Sequence, residues 1–127
     1  MARPGALSRY APPLALMALI FVLSAQPGLS SGLGTIDLVG RKLVHMAEFG
    51  LLFVLWLRAL GWRRPAVAAA IAIGYAITDE LHQTTVEDRN GSPVDVLIDA
   101  TGVAVGWLLW RARVSRRAGG PPAPVGR

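Results

Sequence analysis

The stretch VDVLIDATGVAVGWLLW, residues 94–110, decides the fold. Asp95, Asp99, Gly102 and Gly106 follow one another at steps of four, three and four, the spacing of a single stripe on an α-helix. Nearly all the other positions are apolar. The stripe therefore faces protein, and the rest of the helix surface suits lipid. The length also fits, since ~20 helical residues, with a range of about 17–25, cross a hydrocarbon core of ~30 Å.

Working outward, three more apolar stretches occupy about residues 10–25, 43–60 and 65–82. The period-two alternation of strands is missing, and only helices or closed barrels satisfy backbone groups in lipid. The sequence thus predicts an all-α fold, an integral membrane four-helix bundle over residues 1–110. A basic and then Gly/Pro-rich tail over 111–127 is predicted to be disordered. Residues 26–40, rich in Gly and Ser, read as an exposed loop. The first stretch is short and follows Arg3 and Arg9, as in a signal peptide. Cleavage after Ala25 would place bulky Leu23 where a small residue is preferred, so a retained helix is predicted. No internal repeat is evident.

Composition agrees with a membrane class. Hydrophobic residues make up 53% of the chain, and mean hydropathy is +0.45. Thirteen Lys and Arg against eight acids give a net charge of +5. The basic residues lie in short clusters between apolar runs, which favours membrane topology over nucleic-acid binding. No cysteine is present, which excludes disulfides, thiolate metal sites and a cysteine nucleophile.

With four spans and the N-terminus inside, the inner segments hold Arg3, Arg9, Arg58, Arg63, Arg64, Arg111, Arg113, Arg116, Arg117 and Arg127. The outer segments keep Arg41, Lys42 and Arg89. Cytoplasmic flanks carry the Lys and Arg excess, so both termini are predicted cytoplasmic in a multi-pass protein of the cell membrane. Trp56, Trp62, Trp107 and Trp110 fall toward the same inner boundary, as interfacial anchors do. Every acid falls on the outer side: Asp37, Glu48, Asp79, Glu80, Glu87, Asp88, Asp95 and Asp99.

That acidic bias carries the functional reading. Lys42, His45 and Glu48 recur every three residues and share a broad face over ~9 Å of helix. Asp79 and Gln83 stand one turn apart, and Glu80 and Gln83 at the i, i+3 spacing, so these side chains meet. His82 points partly elsewhere. Burying a carboxylate at membrane depth costs at least ~2.5–3.5 kcal/mol on insertion scales, so such residues face the bundle interior, find partners and mark function. Lys42, His45 and Arg89 are the available cations. The predicted binding set is Lys42, His45, Glu48, Asp79, Glu80, Gln83, Arg89, Asp95 and Asp99, converging at the outer face with Asp99 as its floor.

These residues, taken in order, resemble the VanZ-like membrane protein family. The matching elements are Leu23-Ser24-Ala25-Gln26-Pro27, Lys42-x-x-His45-x-x-Glu48-Phe49, Asp79-Glu80-x-x-Gln83, and Arg89 followed by Asp95-x-x-x-Asp99-x-x-Gly102. Asp99 departs from the pattern, standing where family members commonly have Asn, so it brings an extra charge or proton to the site. The resemblance implies a bacterial integral membrane protein. It also implies a link to glycopeptide resistance, because the family's namesake is associated with low-level resistance to teicoplanin.

Three classes of function follow. In the first, the outer pocket binds or modifies a cell-envelope or lipid-linked compound. An enzyme of this kind would draw its acid and base from His45, Glu48 and Glu80, with Arg89 as an anion anchor. In the second, the polar cluster is a salt-bridge network of a structural or assembly protein, and Gly102 and Gly106 pack helices within the chain or in a homo-oligomer. The third, a proton or ion pathway, is disfavoured because the inner helix halves lack polar residues. His45 and Glu48 at i, i+3 have a spacing that zinc accepts, but the nearby cations argue against a metal. No cofactor is expected, and membrane lipids are the expected surroundings.

Overall fold

A computed structural model describes residues 4–25, 34–86 and 92–120. Among these residues there are four helices and no strand: α1 (Ala6–Ser24), α2 (Thr35–Ala59), α3 (Pro65–Gln83) and α4 (Pro93–Ala118). Contacts run Arg9 to Ala59 between α1 and α2, Met17 to Tyr75 and Ser24 to Gln83 between α1 and α3, and Lys42 to Asp95 between α2 and α4. Chain direction thus alternates from each helix to the next. The helices α2 and α3 form the central pair. Each packs on both α1 and α4, and α1 and α4 do not touch among the described residues.

Two boundaries differ from the sequence reading. The second helix begins at Thr35, well before residue 43, and takes in part of the segment expected as loop. Asp37 in its first turn favours that start, because a carboxylate there complements the helix dipole. The fourth helix continues past Trp110 to Ala118, through half of the expected disordered tail. Arginine is a good helix former, and Arg116 and Arg117 in the last turn favour the negative end of the dipole. Residues 121–127, like Gln26 and Pro27, lie outside the described residues.

The inward face of each helix is polar at one end and apolar or small along the rest. On α3, Ala68, Ala72 and Ala76 are fully buried, and the same face continues into Asp79, Glu80 and Gln83. On α2, Phe49, Leu52, Phe53 and Leu57 fill the core beyond His45. On α4, Gly102 and Gly106 follow Asp95 and Asp99 and meet α2 of the same chain. A β-carbon built on Gly102 would stand 2.1 Å from the Met46 carbonyl oxygen, and one on Gly50 would stand 2.9 Å from the Gly102 carbonyl oxygen. The small residues therefore let the two backbones touch.

The outward faces are apolar. Leu14, Leu19, Phe21, Leu43, Leu51, Leu97, Leu108 and Leu109 are all exposed, far more apolar surface than a soluble monomer presents. Two of the helices, α1 and α4, are long and apolar enough to cross a membrane. Little of either is buried, 11% of the α1 window and 22% of that in α4, unlike the core helix of a soluble protein. The polar residues set α2 and α3 apart: Lys42, Glu48 and Arg58 interrupt one, and Asp79 and Glu80 close the other.

At the opposite end, α1 and α2 are joined by two arginines used reciprocally. Arg9 donates through Nε (3.0 Å) and Nη2 (2.6 Å) to the carbonyl of Ala59, one of the last of α2, which has no partner within its own helix. Arg58 donates at 2.9 Å to the carbonyl of Ser8. That carbonyl is free because Pro12, four residues on, has no N–H to give it. The turn after α2 is a Schellman motif: Trp62 N–H bonds the Leu57 carbonyl and Gly61 N–H that of Arg58, with Gly61 at φ +74°. Arg58→Met should cost about 1 kcal/mol, the net worth of a hydrogen bond at an exposed site. Pro12→Ala should erase most of that cost by restoring the helical donor, and thermal melts of the single and double variants would measure it.

Candidate functional site

The polar ends of the four helices meet at one level. At the rim, Lys42 Nζ on α2 donates to Asp95 Oδ1 on α4 at 2.6 Å, with side chains 35% and 29% exposed. One turn deeper, His45 Nδ1 stands 3.6 Å from Asp99 Oδ1, an ion-pair separation rather than a hydrogen bond. Asp99 is buried, with 2% of its surface exposed. The basic side chain nearest this floor is therefore His45, and Lys42 is paired with Asp95.

From α3 come three buried groups. Gln83 Nε2 donates to Asp79 Oδ2 at 3.2 Å and reaches Ser24 Oγ on α1 at 3.5 Å. The second oxygen of Asp79, Oδ1, is buried without a hydrogen-bond partner. Glu80 turns away from Gln83. Its Oε1 accepts the backbone N–H of Ser92, and its carboxyl lies within side-chain hydrogen-bonding reach of Asp95. Ser92 in turn caps α4, its Oγ accepting Val94 N–H at 3.2 Å with Pro93 in the first turn. Glu80 is thus tied to the entrance of α4.

Glu48 completes the layer. It is half-buried, has no hydrogen bond among the described residues, and lies within electrostatic range of Asp79. Asp99 interacts electrostatically with Asp79, Glu80, Asp95 and Glu48. Among the described residues, five carboxylates therefore share one layer with Lys42 and His45, an arrangement rich in acceptors. Arg89, expected in the same set, lies outside the described residues, as do Glu87 and Asp88.

His82 stands apart, its ring stacked on Phe21 of α1 at 4.3 Å and 9° with a buried, unpartnered Nδ1. Ser24, Tyr75 and Ser92 were not among the predicted site residues. Ser24 is 2% exposed at the end of α1. A serine closing an apolar run was the available signal. Tyr75 lies near Asp79, and its hydroxyl donates to the Met17 carbonyl at 2.5 Å. The Ser92-Pro93 pair carries the mark of a helix start, though nothing in the sequence joins it to Glu80. Among the described residues no three His, Asp or Glu side chains are grouped to hold a metal ion.

Residues 10–114 match the family model VanZ/LLP1. The chain belongs to the VanZ/LLP1 family. No curated protein and no solved structure matches it. The VanZ/LLP1 match spans most of all four helices and contains every residue of the polar layer, Ser24 and Ser92 included.

Proposed function

We propose that this VanZ-like protein crosses the bacterial cell membrane four times, with both ends in the cytoplasm, and binds a cell-envelope compound in its outward-facing polar layer. The observation that carries this reading is the gathering of Glu48, Asp79, Glu80, Asp95 and Asp99 at one end of an otherwise apolar bundle. Carboxylates at such depth cost at least ~2.5–3.5 kcal/mol each and mark function where they occur. Asp79 Oδ1, buried and unpartnered, is the acceptor poised for a ligand. An acceptor-rich site suits a compound bearing amino or hydroxyl donors, lipid-linked or part of the wall. The phenotype proposed from the family is lowered susceptibility to teicoplanin.

The orientation rests on the excess of Lys and Arg toward the end that carries Arg9, Arg58, Arg63 and Arg113. Cysteines placed singly at Thr85 and Arg63, in the α3–α4 and α2–α3 connections, test it. An impermeant maleimide should label Thr85→Cys in intact cells and reach Arg63→Cys only after permeabilisation; the opposite pattern reverses the orientation. The alternative, a purely structural network, draws support from the 2.6 Å Lys42–Asp95 pair. Native mass spectrometry of the detergent-solubilised protein against envelope extract separates the two. A co-purifying polar compound that is lost in Asp79→Asn supports binding, and none in either form supports the network.

A further inference from the structure

A groove of about 1010 Å³ runs between α2 and α4 on the lipid-facing side, away from the carboxylates. Its floor is formed by Gly50, Gly102 and Gly106, where the two helices touch and no side chain fills the space. Its far end is lined by Trp62, Trp110, Arg113 and Arg117. The two arginines stand one turn apart on α4, so they lie on one face.

Three observations select the occupant. Neither Arg113 nor Arg117 has a side-chain partner among the described residues, whereas Arg9 and Arg58 nearby are both taken up by helix carbonyls. The described carboxylates lie toward the opposite end of the bundle, so the described residues offer these arginines no anion. From Gly102, midway along the 94–110 stretch, to Arg113 the helix rises ~16 Å, which matches one leaflet of a ~30 Å core. Two tryptophans at the level of the arginines mark that leaflet's interface.

We propose that the groove binds an acyl chain of an anionic phospholipid of the inner leaflet, with the lipid phosphate held between Arg113 and Arg117. Bidentate guanidinium contact suits a phosphate, and the glycine floor gives the chain a recess deeper than a flat helix surface. The proposal rests on the membrane-spanning part of the reading above and uses none of the outer polar layer.

The test is native mass spectrometry of the full chain in mild detergent with equimolar dioleoyl phosphatidylglycerol or dioleoyl phosphatidylcholine. Retention of the phosphatidylglycerol should exceed that of the phosphatidylcholine by at least about fivefold, as an interfacial arginine favours anionic lipid. The double variant R113Q/R117Q should bring the two lipids level, and R63Q/R64Q, with the same charge change outside the groove, should keep the preference. Ala47→Phe, which fills the groove, should lower retention of both. Equal retention in the unaltered protein, or an equal loss in R63Q/R64Q, overturns the proposal. So does a dimer that crosslinks through a cysteine introduced at Leu51 in the groove and excludes lipid, since a second helix then fills the groove. A chain released from membranes by alkaline carbonate fails at an earlier step, by refuting the membrane span itself.

Discussion

Gly102→Ala is expected to be the most damaging single-methyl change in the protein. The added β-carbon meets the Met46 carbonyl oxygen at 2.1 Å and the Met46 Cα at 2.8 Å. These are backbone atoms, so no rotamer change relieves the clash and α2 and α4 must separate. Overpacking costs ~1–3 kcal/mol, and a contact this close belongs at the upper end. Gly50→Ala, with Gly102 O at 2.9 Å, comes next, and Gly106→Ala, whose nearest neighbour lies at 3.1 Å, is milder. Gly74→Ala has nothing within 4 Å and should stabilise by up to about 1 kcal/mol through helix propensity. Unfolding midpoints in mild detergent should rank the four variants in that order. A Gly102→Ala midpoint equal to that of the unaltered protein would refute the close contact.

The second large effect is a split between two substitutions of one residue. Asp79 is 3% exposed, and its Oδ2 accepts from Gln83. Asp79→Ala takes from that buried amide the nearer of its two acceptors, leaving Ser24 Oγ at 3.5 Å. It should cost about 1 kcal/mol, the net worth of a hydrogen bond, or more where the pair is fully buried. Asp79→Asn keeps an oxygen for Gln83 and removes one charge from a layer already crowded with carboxylates. It should therefore leave stability unchanged or raise it. If the layer binds an envelope compound, both variants lose the compound together with any teicoplanin phenotype. If the layer only holds the helices together, Asp79→Asn behaves as the unaltered protein. Stability from melts and ligand retention from mass spectrometry thus answer separate questions on the same pair of proteins.

Much of this arrangement was legible in the sequence because helical periodicity reports directly on faces. The stripe from Asp95 to Gly106 identified the inward side of α4, and Asp79 and Gln83 at one-turn spacing do hydrogen-bond. Relations between segments distant in the chain were harder to read. Gly50 became visible as the counterpart of Gly102 only when α2 and α4 lay side by side, since an isolated glycine in an apolar run has many meanings. Glu80 was read as a partner of Gln83 on its own helix, yet it bonds a backbone N–H twelve residues away. Backbone donors leave no trace in residue identity. The extension of α4 beyond Trp110 was missed for a different reason: its arginines were weighed as topology signals although they are also good helix formers.

The exchange of guanidinium groups between α1 and α2 has a consequence in time. Arg58 follows Ser8 by 50 residues, and chains are synthesised at ~5–20 residues per second, so the Ser8 carbonyl waits roughly 3–10 s for its donor. During that interval α1 carries a proline-freed acceptor at its exposed end, which water satisfies in place of the guanidinium. In the membrane topology proposed above, that end of α1 stays in water until the second helix arrives. In that proposed topology α1 and α2 then settle as a hairpin, and the 50 residues from Ser8 to Arg58 set the shortest delay before that end of α1 is closed.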